Sequence, residues 1–282
     1  MGLRIQNNVE AFNAHRQLTS TASKAAKAME KLSSGYRVNR AADDAAGLAI
    51  SEKMRAQIGG LAQAQRNAQD AVSLVQTGEG ALNEVHSMLQ RVRDLKVQYD
   101  GGTLSNEDKK AIAAEVQQLG KEITDIAGKT EFNGLKLLEA GTFTFTVGAN
   151  SADTIQLTTI SLSATSGTGG VQELINVGGA GSVDAASGLF SAVSVDAIDG
   201  MIKNVSTIRS TFGAIQNRLE HRLANLSTYQ ENLVASESRI RDVDMASEMV
   251  NFTKLGILQQ AGTSMLAQAN QAPQGVLSLL QG

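Results

Sequence analysis

Several residue types are missing or rare in this chain of 282 residues, and their absence excludes some kinds of chemistry. There is no cysteine, which excludes disulfide bonds, thiolate catalysis and cysteine-ligated metals. There is no tryptophan, and aromatic residues make up only 4% of the chain, so a core must be built from aliphatic side chains and alanine. The net charge is only −3, which gives no reason to expect a nucleic acid or an anionic membrane as partner.

Proline is nearly absent as well, since Pro273 is the only one. Because proline is the strongest breaker of helices, long uninterrupted helices are permitted over the preceding residues. No apolar run approaches the ~18 residues of a transmembrane helix. The N-terminal residues are polar and charged, without the hydrophobic region of a signal peptide. We therefore expect no membrane span and no cleavable signal.

Apolar residues recur every three or four positions along most of the chain, which predicts amphipathic helices. The first stripe runs from Ile5 to Leu32 and ends at a Ser-Ser-Gly sequence, which is typical of a helix C-terminus. The second predicted helix runs from Asp44, a capping residue, to about Gln98. Such a helix is roughly 80 Å long at ~1.5 Å per residue, whereas a globular protein of this size has a diameter of only ~50 Å. The sequence therefore predicts an elongated rod.

The middle of the chain changes character. A third helix is predicted to begin at Ser105 with an approximate capping box. Residues 142–162 alternate threonine with larger apolar residues around a central Gly-Ala-Asn, which predicts a β-hairpin. Residues 163–192 are rich in glycine, serine and alanine, and we interpret them as irregular surface or a short variable insert. Two further helices are predicted, one from Val195 and one over residues 245–280.

The predicted fold class is mainly α: an elongated antiparallel helical rod or coiled coil with a small β-hairpin excursion, in which the N- and C-terminal helices pair. Two domains are predicted. Residues 1–43 and 242–282 form a terminal coiled coil, and residues 44–241 form a helical rod domain. The rod domain includes the hairpin at about 142–162 and a short variable region at about 163–195.

No catalytic or metal site can be assembled from the sequence. The three histidines lie far apart on predicted helices, and none belongs to a metal-binding pair. Asp242 and Asp244 suit a divalent cation in principle, but two arginines and a helix start lie beside them. Capping and salt bridging is the better interpretation. We therefore expect a protein that is not an enzyme and that binds no cofactor or metal.

The apolar stripes are thin, because alanine, glycine, glutamine and asparagine occupy many of the semi-buried positions. One interpretation is a monomeric helical bundle. The other is a subunit whose terminal helices become ordered only against neighbouring copies, since isolated helices are marginal in water. Identical rods joined by a non-closing contact form a helical filament. We expect residues 1 to about 40 and 243–282 to be disordered in the free monomer and helical in the polymer.

Two blocks of the chain contain segments that are typical of one family. The N-terminal segments are Glu30–Gly35 (EKLSSG), Arg37–Ile50, Asn67–Asp70 (NAQD), Glu79–Glu84 (EGALNE) and Phe132–Gly134 (FNG). The C-terminal segments are Gly213–Leu219, Glu237–Ala246, Met265–Gln271 and Val276–Leu280. In these segments the chain resembles the bacterial flagellins, and only residues from about 140 to 195 are unmatched.

The resemblance implies a structural subunit that self-polymerises into the flagellar filament for swimming motility. It implies export by the flagellar type III apparatus to the extracellular flagellum, with the terminal coiled coil in the inner tube and the rod domain in the outer tube. The middle of the chain is short, so we expect a form without the outer variable domains. Implied partners are further copies of the chain, an export chaperone, the filament cap and the hook–filament junction proteins, with no nucleic acid and no membrane.

Apolar residues of the terminal coiled coil are the candidate polymerisation residues. They are Ile5, Val9, Phe12, Met29, Leu32, Leu255, Leu258, Met265, Val276, Leu277, Leu279 and Leu280.

The resemblance also implies recognition by innate immune receptors. Residues 30–51 resemble the peptide sensed by the plant flagellin receptor, and residues 90–98 resemble the segment bound by the animal Toll-like receptor for flagellin. Lys96 stands where the family usually has a small or apolar residue, which we expect to alter packing. The candidate residues for receptor binding and contact between protofilaments are Gln90, Arg91, Arg93, Leu95, Gln98 and Glu115. Arg91 and Leu95 are expected to form one charged and apolar surface patch, with Glu115 as the partner of Arg91.

Two alternatives stay open at this point. A hook–filament junction protein has similar termini, and a helical enzyme or ligand-binding protein belongs to a different class. The density of flagellin-type segments argues against the first, and the absence of catalytic motifs argues against the second. Electron microscopy of seeded protein separates them, since the three hypotheses predict long filaments, short rings or caps, and inert monomers.

Overall fold

The computed structural model describes residues 8–159 and 172–280. Within that part of the chain there are seven helices and two small antiparallel hairpins. The helices are α1 (Val9–Ser34), α2 (Ala45–Tyr99), α3 (Asn106–Lys129), α4 (Gln172–Gly178), α5 (Val183–Ala192), α6 (Val195–Arg241) and α7 (Met245–Leu280). By its contacts the chain divides into two compact units. One consists of the residues up to Gln57 together with those from Glu231 onwards, and the other of Ile58–Gln230.

Several helices begin or end at residues whose side-chain or backbone chemistry requires it. Gly35 follows α1 with a φ of 75°, and its N–H donates to the carbonyl of Lys31, as in a left-handed C-cap. Asp44 accepts a hydrogen bond from the N–H of Gly47 and so caps α2. Ser105 and its capping-box partner start α3. The predicted fold class is confirmed: the chain is mainly helical, α1 pairs with α7, and the β-structure is a small excursion.

The β-structure consists of two hairpins within the Ile58–Gln230 unit. Strands β1 (Glu131–Phe132) and β2 (Leu135–Lys136) form the first, and β3 (Gly141–Thr146) and β4 (Thr154–Thr159) form the second. The second hairpin confirms the predicted one as far as Thr159, and residues 160–162 lie outside the described residues. The first was not predicted, although Asn133 and Gly134 both adopt positive φ in its two-residue turn, as an Asn-Gly pair does in a type I′ turn.

The core of the Ile58–Gln230 unit is aliphatic, as the shortage of aromatic residues requires. The seam of α3 is buried at Ile112, Val116 and Ile123. It joins a cluster with buried residues of α2, α6 and the second hairpin, such as Leu82, Leu89, Ile198, Phe212, Leu219 and Leu157. The 3/4 spacing therefore correctly predicted the burial of these residues on α2, α3 and α6.

The interpretation of residues 163–192 as irregular surface is wrong for the part that the structure describes, which contains α4 and α5. Leu174, Val177 and Phe190 of these helices are buried in the core. Helix α4 packs closely on α3, since a Cβ on Gly120 of α3 would lie only 2.6 Å from the carbonyl oxygen of Leu174. Residues 163–171 lie outside the described residues.

In the described ranges no single helix is both long and apolar enough to cross a membrane. The bent pair of α5 and α6 meets the length and composition requirements together. Phe190, Ile198 and Met201 of that pair are nevertheless buried in the protein core.

Candidate assembly and recognition surfaces

Helices α1 and α7 pack against each other at several points. Near one end, the side-chain N–H of Asn8 donates to the carbonyl oxygen of Ala269 at 2.7 Å. Further along, Gly262 admits Leu18, because a Cβ on residue 262 would lie 3.2 Å from the Leu18 Cδ1 atom. The buried cluster between the helices consists of Ala25, Ala28 and Leu255. Since two of the three side chains are alanines, the cluster buries little apolar area and stabilises the helix pair only weakly.

Large apolar side chains remain exposed all round α7. Leu255 faces α1, whereas Val250 and Ile257 lie about 140° and about 160° away from it, at ~100° per residue. Val250 is 71% exposed, Met265 is 65% exposed, and Phe12 of α1 is 70% exposed. A helix that is apolar on all sides is normally buried, and α1 covers only one side of α7. The exposed large apolar residues of this unit, among those described, are Val9, Phe12, Met29, Ile50, Val234, Met245, Met249, Val250, Ile257, Leu258 and Met265.

The predicted polymerisation residues fall into three groups. Val9, Phe12, Met29, Leu258 and Met265 are exposed, Leu32 is half-buried, and Leu255 is buried against α1. Ile5 lies outside the described residues, as do the side chains of Val276, Leu277, Leu279 and Leu280. Val250 and Ile257 were not among the predicted residues, because neither lies on the single 3/4 seam of α7.

The turns at residues 35–44 and 242–244 are tied together around Arg241. Its guanidinium donates to the carboxylate of Glu52 at 2.6 Å and lies 4.6 Å from the centroid of the Tyr36 ring. The two turns also exchange backbone hydrogen bonds. The hydrogen bond from Arg241 lowers the pKa of the Glu52 carboxyl group.

Asp244 is a helix-capping residue, as predicted. Its carboxylate accepts hydrogen bonds from the N–H groups of Ala246 and Ser247 in the first turn of α7. Arg241 pairs with Glu52 and not with the neighbouring aspartates. Within the described ranges there is no cluster of three or more histidine, aspartate and glutamate side chains suited to a metal ion.

The segment of residues 30–51 is folded back on α1 by its own side chains. The carboxylate of Glu30 accepts hydrogen bonds from Arg40 at 2.7 Å and from Asn39 at 2.8 Å. These two hydrogen bonds, the one from Arg40 above all, lower the pKa of Glu30. The carboxylate of Asp43 accepts from the backbone N–H of Arg40, which lowers its own pKa.

Two arginines of the segment at residues 90–98 form ion pairs on the surface of α2. Arg91 pairs with Glu115 of α3 at 2.7 Å, which is the partner that the sequence analysis expected. Arg93 pairs with Asp199 of α6 at 2.6 Å, and this hydrogen bond raises the pKa of the guanidinium. The Arg91 surface, as we name it, comprises the side chains Gln90, Arg91, Arg93, Gln98 and Glu115.

Leu95 does not belong to that surface, so the predicted Arg91–Leu95 patch is wrong. Leu95 is only 2% exposed and belongs to the core. Residues four apart differ by about 40° round a helix, and α2 is packed so closely that this step leads from the surface into the core.

Lys96 also points inward and is 3% exposed. Its ammonium group donates to Asp100 at 2.8 Å and to the carbonyl of Phe190, at the end of α5, at 3.3 Å. It lies 5.2 Å and 5.3 Å from the ring centroids of Tyr99 and Phe190, which suits a cation–π interaction. The unusual lysine is therefore part of the core packing and is not one of the exposed side chains of the Arg91 surface.

Comparison with known proteins gives matches at both ends of the chain. The bacterial flagellin N-terminal helical region matches residues 5–144, and the bacterial flagellin C-terminal helical region matches residues 195–280. The chain belongs to the flagellin family. The flagellin of Halalkalibacterium halodurans is 52% identical over 281 residues, which cover 98% of this chain and 99% of the relative. The flagellin of Bacillus subtilis is 46% identical and covers 99% and 100%. The flagellar filament 33 kDa core protein of Treponema phagedenis is 44% identical and covers 98% and 99%.

Solved structures give further similarities to this flagellin. The crystal structure of Bacillus cereus flagellin is 32% identical, covers 61% of this chain and 94% of its own, and superposes with a TM-score of 0.45. A flagellar hook-associated protein from Vibrio parahaemolyticus is only 14% identical and covers 71% and 100%, with a TM-score of 0.57. The latter similarity shows a shared fold alone.

Membership of the family establishes the general function of this flagellin. It is a structural subunit that self-polymerises into the bacterial flagellar filament, an extracellular appendage, and it is not an enzyme. The relatives that it matches from end to end are flagellins and filament core proteins. These matches favour the filament over the hook–filament junction.

Proposed function

We propose that this flagellin polymerises through the exposed apolar residues of α1 and α7, and that these helices form the inner tube of the filament. The observation that carries the proposal is that large apolar residues lie exposed on several sides of α7, of which α1 covers only one. Burying one such side chain contributes about 1.5–3 kcal/mol. Neighbouring copies of the same chain supply the missing cover, and a contact that does not close on itself extends into a helical filament.

Seeded growth of filaments tests this surface. We expect Val250→Ser combined with Ile257→Ser to raise the critical concentration for elongation at least ~10-fold, since ~1.4 kcal/mol corresponds to a factor of ten. Neither side chain contributes to the buried cluster between α1 and α7, so the subunit keeps its fold. The matched control is Leu135→Ser with Leu189→Ser, two exposed apolar residues of the other unit, and it should elongate normally. Equal critical concentrations for the two double variants would refute the proposal.

The route of the chain to the filament forms a second part of the proposal. This flagellin leaves the cell unfolded through the flagellar type III apparatus, guarded by an export chaperone, and is added beneath the filament cap, beyond the hook–filament junction proteins. The lack of cysteine and the small buried cluster between α1 and α7 support it, because nothing covalent resists unfolding. A stably folded domain fused to the C-terminus should stall export, whereas a destabilised version of that domain should pass. Equal export of both fusions would contradict export in the unfolded state.

Recognition by innate immune receptors is the third part, and it is assigned to the Arg91 surface. Its side chains are exposed and its two ion pairs hold them in place, which favours both a receptor and a neighbouring protofilament as partner. Leu95 is removed from the candidate residues because it is buried.

The Arg91→Ala monomer should signal more weakly through the receptor, and its filaments should melt at a lower temperature. The control is Arg66→Ala, which removes another exposed arginine of α2 whose side chain bonds Gln63 on the same helix. Signalling lost to the same extent in both variants would exclude a specific contact.

A further inference from the structure

The sulfur atoms of the chain are distributed unevenly between its two units. There are eight methionines and no cysteine, and Met1 lies outside the described residues. Of the other seven, four have much of their surface exposed: Met29 (53%), Met245 (48%), Met249 (51%) and Met265 (65%). We call these the four terminal methionines, since all lie on α1 or α7. The seventh, Met54 of α2, belongs to the same unit as these four but is only half-exposed. In the other unit Met201 is fully buried and Met88 packs against the core.

We propose that the four terminal methionines are a site of reversible oxidation, and that their conversion to the sulfoxide prevents this flagellin from polymerising. The modification acts on the free subunit, in which the side chains are exposed. The inference rests on the proposed polymerisation surface, because it concerns the same two helices.

The oxidant is a peroxide, which transfers one oxygen atom to the thioether. A sulfur lone pair attacks the peroxide oxygen, the O–O bond breaks and the S–O bond forms. The thioether loses two electrons, and hydrogen peroxide leaves as water. The reverse step uses a dithiol reductase, which becomes a disulfide while the sulfoxide oxygen leaves as water. Because the chain has neither cysteine nor tryptophan, no thiol or indole of its own competes for the oxidant.

Oxidation changes the surface from apolar to polar at several positions. Met245 and Met249 are four residues apart and so lie close together on α7, while Met265 stands beside Leu258, seven residues earlier and about 20° away round the helix. A sulfoxide is polar and accepts hydrogen bonds, so its burial against an apolar neighbour leaves an unsatisfied oxygen. The modified subunit therefore loses the contacts that hold it in the polymer.

The first experiment oxidises wild-type monomer with graded hydrogen peroxide, locates the sulfoxides by mass spectrometry and measures seeded elongation. The four terminal methionines should react at least ~10-fold faster than Met88 and Met201, in keeping with their exposure. Elongation should fall as they react and should recover after treatment with methionine sulfoxide reductase. Oxidised monomer that elongates at the unmodified rate would overturn the inference.

The second experiment uses a quadruple variant in which each terminal methionine is replaced by leucine, a change that preserves volume and apolar character. It should elongate normally and tolerate peroxide, whereas the control Met54→Leu with Met88→Leu should remain as sensitive as the wild type. A quadruple variant that elongates but stays sensitive overturns the oxidation site and leaves the polymerisation surface intact. Normal elongation by the Val250 and Ile257 double variant would instead contradict the proposed polymerisation surface. If the quadruple variant does not elongate, the test is the treatment of oxidised wild type with the reductase. Recovery of elongation supports the inference, and no recovery overturns it.

Discussion

Lys96→Met tests whether a buried ammonium group stabilises the packing of α5 on α2. The substitution keeps the length and volume of the side chain but removes the hydrogen bonds to Asp100 and to the carbonyl of Phe190. The carbonyl of Phe190, near the end of α5, then keeps only the hydrogen bond from the backbone N–H of Val193 at 3.2 Å.

The magnitude follows from these contacts. Hydrogen bonds to a charged group contribute about 1.5–3 kcal/mol each, and a cation at a helix C-terminus contributes up to about 2 kcal/mol. The desolvation of the ammonium group opposes both. We therefore expect a net loss of about 2 kcal/mol in the free energy of unfolding, which lowers the melting temperature by roughly 4–8 °C for a unit of this size.

Calorimetry and hydrogen exchange at the amides of α5 are the appropriate assays. The matched control is Lys129→Met, because Lys129 forms a similar pair with a residue four positions away, Asp125, but on the exposed surface. We expect no measurable change in its melting temperature. Equal melting temperatures of the two variants would show that the buried ammonium group does not stabilise the packing, and so would a higher melting temperature of Lys96→Met than of the wild type.

Three further predictions concern backbone packing, pH and the terminal helices. Gly120→Ala should lower the free energy of unfolding, measured by chemical denaturation, by about 1–3 kcal/mol, because its Cβ would overlap α4. In the control Gly80→Ala the new Cβ meets open space, and the free energy of unfolding should rise by about 0.5–1 kcal/mol. Arg241 lowers the pKa of Glu52, so the stabilisation from this ion pair is complete above the ordinary pKa of 4.5 and is lost as the pH falls through the lowered pKa. Glu52→Gln should therefore flatten the pH dependence of amide exchange below that pH in the turn at residues 35–44. An unchanged pH profile would contradict this. Leu18→Cys with Gly262→Cys places two Cβ atoms 3.9 Å apart, as in a disulfide. In the free monomer the amides of α1 and α7 should exchange rapidly when this cysteine pair is reduced and slowly when it is oxidised. Strong protection in the reduced state would show that the two helices already form a stable pair in the monomer.

The parts of the fold that were predictable are those whose cause is local. Gly35, Asp44 and Ser105 mark helix ends through their own conformation or side-chain hydrogen bonds, and the seam of α3 is a simple 3/4 repeat. Helix α5 also has a local signal, since Ser182 caps its start, but α4 and α5 are short and depend on tertiary contacts such as the approach of α4 to Gly120. Composition alone suggested a loop there, and composition was misleading.

The candidate surfaces divide in the same way. The pair of Arg91 and Glu115 was predictable, since it joins opposite charges on consecutive antiparallel helices. The burial of Leu95 and Lys96 was not, because a change of about 40° round a helix decides between surface and core, and only the packing of neighbouring helices sets that limit. Val250 and Ile257 were missed for a related reason: a single seam describes a helix with one partner, and α7 is apolar on every side.

The paired turns have a mechanical consequence for the unit that contains α1 and α7. The N–H of Arg37 donates to the carbonyl of Arg241, and the N–H of Val243 donates to that of Gly35. These bonds join the two connections, and the ion pair of Arg241 with Glu52 joins the end of α6 to the first turns of α2, so a pulling force loads the three contacts together. Tension between α1 and the first turns of α2 is therefore shared with the connection between α6 and α7. The α1–α2 and α6–α7 connections therefore resist extension together and not one at a time.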